Sequence, residues 1–91
     1  MKVRVPASLS QRGRSGMVDL DIPPSATMRV VLGEIEKQIP GATDRIVGVD
    51  GRLRGYVNLY VNGEDVRHGA GLDTPVSEAD EVLILPAISG G

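Results

Sequence analysis

The stretch Tyr56–Arg67, YVNLYVNGEDVR, decides the fold. Val57, Leu59 and Val61 alternate with Tyr56, Asn58 and Tyr60, the period-two pattern of a strand with one buried face. Asn62-Gly63 follows. This dipeptide suits a two-residue type I′ hairpin, because both central positions need positive φ. Glu64–Arg67 then reads as a short return strand. A hairpin with one apolar face is not stable alone and must be joined by further strands and a covering layer.

The neighbouring segments supply both. Upstream, Val3 and Val5 alternate with Lys2 and Arg4, and Val18, Leu20 and Ile22 alternate with Asp19 and Asp21. These predict two antiparallel strands joined by the polar loop Ser8–Gly16. Pro23-Pro24 ends the second strand, and Thr27 is placed to cap a helix. Met28, Val31, Leu32, Ile35 and Ile39 fall on one helical stripe, which Pro40-Gly41 terminates. Gly33 interrupts the helix, and a close strand crossing would account for it. Residues 42–55 carry no sustained period and predict an irregular crossover, with Ile46, Val47 or Val49 dipping into the core. Downstream, His68–Asp80 predicts a connection anchored by Leu72 and Val76, and Val82–Leu85 the last strand, ended by Pro86. The order is ββ-α-ββ-β: an α+β domain over residues 1–86, with one main helix laid across a mixed sheet of about five strands.

Composition narrows the function. Ninety-one residues make one small core, and a catalytic pocket would consume much of it. Ten cations against 12 anions give a net charge of −2, the wrong sign for a nucleic-acid binder. The balance is uneven: residues 1–45 carry seven cations and five anions, residues 46–91 three and seven. With no Cys, there is no side-chain thiol to act as nucleophile, zinc ligand or persulfide carrier. One His and no Cys make no metal site, and no apolar run is long enough to span a membrane. The N-terminus has no signal-peptide core, so a soluble cytoplasmic protein is expected.

No catalytic set emerges. His68 has no nucleophile motif beside it and reads as an exposed or capping residue. Glu64-Asp65 and Asp80-Glu81 are adjacent pairs, which point to opposite faces of a strand. Arg12-Gly13-Arg14 lacks a phosphate-loop pattern and reads as an exposed loop tip. The acidic stretch Asp73, Glu78, Asp80 and Glu81 fits either a steering patch for a basic partner or a solvated loop. The remaining feature is the end of the chain: Ala87-Ile88-Ser89-Gly90-Gly91 directly follows the last apolar strand. These residues, 87–91, predict a slender, unanchored tail able to enter a narrow channel in another protein. Its carboxylate is a poor electrophile until it is activated as an acyl-adenylate. An inert terminus on a plain binding module is the competing reading.

The chain resembles the ubiquitin-like sulfur carriers, above all in Tyr56–Arg67, Gly71-Leu72 and the closing Val82–Gly91, VLILPAISGG. Within that family it is most similar to the carriers that serve cysteine synthesis. The resemblance implies a β-grasp fold and a protein that is a co-substrate, not an enzyme, and that binds no cofactor itself. It implies that an E1-like adenylating enzyme, using ATP and Mg²⁺, threads Ala87, Ile88, Ser89 and Gly90 and adenylates Gly91. A sulfur donor then displaces AMP, leaving a Gly91 thiocarboxylate. In the cysteine route the acceptor enzyme resembles a pyridoxal-phosphate (PLP)-dependent cysteine synthase, and a zinc peptidase releases the product. Molybdopterin, thiamine or a sulfur-containing secondary metabolite are other destinations, and conjugation to protein lysines is a further use of the same activated terminus. The absent Cys agrees independently, since the C-terminal carboxyl is the one place left to hold transferable sulfur.

The alternation also predicts a partner-docking patch. If Val57, Leu59, Val61, Val82 and Ile84 face the helix, then Tyr60, Leu83 and Leu85 face outward beside the tail. A one-residue slip in register would exchange the two sets.

Overall fold

The computed structural model describes residues 1–9 and 16–86. Strand β1 (Lys2–Val5) runs antiparallel to β2 (Gly16–Asp19), pairing Val3 with Val18 and Arg4 with Met17. A two-residue strand β3 (Ala26–Thr27) leads into helix α1 (Met28–Gln38), and a one-turn helix α2 (Ala42–Ile46) follows. Then come β4 (Val57–Val61), β5 (Glu64–Asp65), β6 (Pro75–Val76) and β7 (Glu81–Pro86). Five strands form the main sheet in the order β2-β1-β7-β4-β5, while β3 and β6 pair in a separate two-stranded ladder. β1 and β7 are parallel at the centre, and β4 is antiparallel to β7.

The core is the contact between this sheet and α1. Val3, Leu59 and Ile84 from the sheet are fully buried, as are Met28, Val31 and Ile35 from the helix stripe. Each such side chain contributes roughly 1.5–3 kcal/mol of gross transfer free energy, so the stripe and the sheet hold each other in place. Ile39 closes the stripe as a partly buried residue. Thr27 occupies the N-cap position of α1 but its side chain makes no capping hydrogen bond. Ile39 N–H donates to Ile35 at the other end, before Pro40-Gly41 turns the chain.

The hairpin forms as its dipeptide dictates. Asn62 and Gly63 have φ of 51° and 86°, and Val61 pairs with Glu64 across the turn. The Asn62 side chain also ties this hairpin to the start of β7, donating to Asp80 and accepting from the Glu81 N–H.

Five expectations are corrected. The second strand ends at Asp19, and Leu20 and Ile22 are buried as extended chain beyond it. The return strand stops at Asp65, because Val66–His68 winds into a 3-10 turn whose Arg67 N–H donates to the Asp65 carboxylate at the N-cap. The 42–55 segment opens with α2, which starts from Gly41 at φ 91°, with the Glu36 carboxylate of α1 accepting from Gly41 and Thr43 N–H. Within that segment Ile46 is buried, Val47 is partly buried and bridges to Leu53, and Val49 is fully exposed. The 26–27 and 75–76 ladder lay inside segments read as connection; it pairs Ala26 with the anchor Val76. Finally, no strand crosses at Gly33, which is exposed with open space where a Cβ would point.

That space makes Gly33 a place where stability can be gained. Gly33→Ala should stabilise the domain by about 0.5–1 kcal/mol through helix propensity, read as a rise in thermal midpoint of a few degrees.

Three carboxylates sit below their ordinary range. For Glu36 the causes are the Gly41 and Thr43 backbone donors. For Glu78 they are the Met1 ammonium, at 2.5 Å, and the Ile22 N–H. For Asp80 they are the Asn62 amide and the Ser77 N–H. A depressed folded-state pKa means the stabilisation is complete above the unfolded value near ~4 and is lost as pH falls through the folded value. Glu36→Gln and Asp80→Asn should therefore flatten the acid limb of a thermal-midpoint-against-pH curve. An unchanged acid limb in both would contradict the assignment.

Candidate functional site

β7 is hydrogen-bonded on both sides, and its last residue, Pro86, is in register with Val57 at the start of β4. The expected tail residues Ala87, Ile88, Ser89, Gly90 and Gly91 lie outside the described residues, as does Arg12-Gly13-Arg14.

The side chains on the sheet take the predicted sides. Val57, Leu59, Val82 and Ile84 are buried toward α1, with Val61 partly buried against the same core. Tyr60 and Leu83 are directly paired on the outer face, half-buried, and Leu85 is 39% exposed, paired with Asn58 one row away. The register extends that outer row across the sheet as Met17, Arg4, Leu83, Tyr60 and Asp65. Met17, 52% exposed, is an apolar member of this face that strand alternation alone did not pick out.

The outer face is divided into two concavities. A groove of about 350 Å³ contains Tyr60 and Leu83, and Met17, Lys2, Arg4 and Glu81 line it with them. Leu85 instead belongs to a more apolar cleft of about 370 Å³ at the tail's root. Leu9, Tyr56, Val57, Ile84 and Pro86 line this cleft with it, and Arg45 of α2 stands at its wall. Sequence reading missed the cleft because its walls come from the turn after β1, from α2 and from two strand ends. Of these, only the strand ends carried a periodic signal.

Arginines gather around this end. Arg45 donates to the Ser8 carbonyl and Arg54 to the Asp44 carbonyl. Arg67 donates to the carbonyls of Arg54 and Val57 and to the Asn58 amide oxygen, fixing the start of β4. The Arg54 guanidinium lies 6.0 Å from the Tyr56 ring centroid. Among the described residues none of these arginines forms an ion pair; the pairs are Met1 with Asp19 and Glu78, Arg29 with Asp73, and Lys37 with Glu34.

The other candidates are placed apart. His68 is exposed at the end of its 3-10 turn, and Glu64 and Asp65 diverge along β5. Asp80 is engaged in the hairpin tie, and Glu78 in holding Met1 and Ile22. No cluster of three or more His, Cys, Asp or Glu able to hold a metal occurs among the described residues. None of their helices is long and apolar enough to cross a membrane.

Comparison with known proteins bears on the fold and the family. The sulfur carrier protein CysO of Mycobacterium tuberculosis is 40% identical over 67 residues, 71% of this chain and 72% of that protein. Small archaeal modifier protein 1 of Haloferax volcanii is 30% identical over 91 residues, spanning the whole of both chains. Among solved structures, a chain of the Amycolatopsis orientalis BexX/CysO complex superposes with a TM-score of 0.83 at 33% identity, covering 99% of this chain and 98% of that one. The fold is thus the β-grasp expected from the element order. The ThiS family profile matches residues 3–91, and the chain belongs to that family of ubiquitin-like sulfur carriers.

Proposed function

We propose that the protein carries sulfur as a thiocarboxylate on Gly91. The observation that carries this reading is that the family profile extends through Gly91, in a chain with no cysteine thiol to hold sulfur elsewhere. The Gly91 carboxylate attacks the α-phosphorus of ATP on an E1-like enzyme and releases pyrophosphate. Sulfide then adds to the acyl carbon and AMP leaves; where a persulfide is the donor, it forms an acyl disulfide, and a thiol must then cleave the S–S bond to free the thiocarboxylate. The resulting thiocarboxylate is ionised at neutral pH and is a far better nucleophile than the carboxylate. In this reading the protein is a co-substrate, ATP and Mg²⁺ belong to the partner, and Ala87–Gly90 is the segment drawn into the partner's channel. Tyr60, Leu83 and Leu85 form the face on which that partner docks.

Similarity to CysO favours cysteine biosynthesis as the destination, with a PLP-dependent cysteine synthase-like acceptor and a zinc peptidase that regenerates Gly90-Gly91. The test is intact mass after incubation with ATP, the cognate adenylating enzyme and sulfide. Replacement of one oxygen by sulfur at the C-terminus is expected, and its consistent absence would overturn the reading. A second use, conjugation to protein lysines, is favoured by the likeness to a small archaeal modifier protein. Gly-Gly remnants on cellular lysines would identify it.

A further inference from the structure

Three arginines from separate parts of the chain line one concavity of about 290 Å³. Arg29 comes from α1, Arg52 from the turn at 48–53 and Arg67 from the 3-10 turn after β5. Asp73 is the one carboxylate in the lining, and it accepts from Arg29 Nε at 2.9 Å in an exposed pair. Exposed pairs of this kind are screened by water and hold little. Arg67 is fixed differently. Its guanidinium donates to the carbonyls of Arg54 and Val57 and to the Asn58 amide oxygen, all neutral, so its charge is positioned without being paired. The exposed Arg52 side chain makes no hydrogen bond or ion pair among the described residues; its backbone N–H donates to Asp50, which does not line the concavity. Two cationic charges thus stand uncompensated in a chain whose net charge is −2. Cations gathered without counter-charge repel one another, and a bound anion removes that cost.

The backbone suits an anion too. Ala70, at φ −85° and ψ 8°, is followed in the lining by Gly71 at φ 59°. A right-handed residue followed by a left-handed one turns consecutive N–H groups into one concave face, which favours negative charge. Leu53 and Leu72, both packed on the core, add an apolar wall.

We propose that this concavity binds a small-molecule phosphate monoester. The phosphate, about −1.5 to −2 in charge at neutral pH, sits among the arginines, whose planar forks match its oxygens. The organic body of the ligand rests on Leu53 and Leu72. The volume lies near the lower end of small-molecule sites, about 300 Å³, so a compact ligand is held whole. The concavity shares no lining residue with the outer-face groove or with the cleft at the end of β7, and the proposal is independent of the sulfur-carrier reading.

Amide NMR titration of the full-length chain at constant ionic strength tests it. AMP serves as the monoester, with adenosine, inorganic phosphate and a phosphoserine peptide as comparisons. AMP is expected to shift the amides of Arg52, Ala70, Gly71 and Leu72 saturably, with a Kd of about 1 mM or tighter, and adenosine to leave them in place. Arg52→Gln should weaken AMP binding about tenfold, the effect of losing one charge-assisted hydrogen bond. That variant removes no side-chain contact within the domain, so its thermal midpoint should stay where it was. Shifts that never saturate, that adenosine reproduces, or that persist in Arg52→Gln would overturn the proposal. Inorganic phosphate bound as tightly as AMP would leave Leu53 and Leu72 without a role and overturn the monoester assignment. A phosphoserine peptide bound more tightly than AMP would overturn it as well, assigning the concavity to the modified side chain of a partner.

Discussion

Deleting Gly91 is expected to reduce sulfur loading to background while leaving the thermal midpoint of the domain where it was. The carboxylate of the shortened chain would lie one residue, roughly 3.5 Å, short of the position reached by the native terminus. Alignment of nucleophile and phosphorus in an adenylating site does not survive displacement on that scale. The unchanged midpoint follows from packing: among the described residues the core is built from side chains between Met1 and Ile84. The measurement is intact mass after incubation with ATP and the cognate enzyme, paired with a thermal melt. Loading that persists near the native level would place the reactive group elsewhere. A lost unfolding transition would show that the terminus belongs to the core.

The second large effect lies in the scaffold. Leu59 is fully buried on β4, in register with the fully buried Ile84 of β7 and beneath the α1 stripe. Leu59→Ala removes its side-chain methyls and leaves a cavity, at a cost of about 2–5 kcal/mol. A domain of this length has only about 5–14 kcal/mol of total stability, so the variant should melt some 10–30 °C lower. Calorimetry on purified protein checks this. Tyr60, the next residue, faces outward and is half-buried, so Tyr60→Ala should cost far less stability and act on partner binding instead. Equal losses from the two substitutions would mean that the two faces of β4 do not differ as described.

The contrast shows what could be read from residues alone. Leu59 and Tyr60 were assigned to opposite faces by alternation, and Asn62-Gly63 set the hairpin, because each signal is local. The helix stripe from Met28 to Ile39 was equally legible, having three turns in which to repeat. Helix α2 was not: five residues are too few to show a period, and its start depends on Glu36, which lies in the preceding helix. The 26–27 and 75–76 ladder was hidden for a similar reason, since two-residue strands carry no alternation and find each other only across nearly 50 residues of chain. The site divides the same way. Alternation along their strands placed Tyr60, Leu83 and Leu85 on the outer face, whereas Arg45 joins Leu85 at the cleft only because α2 folds there.

The placement of β7 bears on how the domain would respond to a pull. Any enzyme that draws the terminus into a channel exerts tension along the last strand. That strand is the middle one of the sheet, flanked by β1 on one side and β4 on the other. Tension along it loads both hydrogen-bonded ladders in shear, so many bonds must yield together. An outermost strand could instead be peeled away one bond at a time. The architecture thus provides a mechanical anchor, letting the terminus be hauled on without unravelling the body behind it.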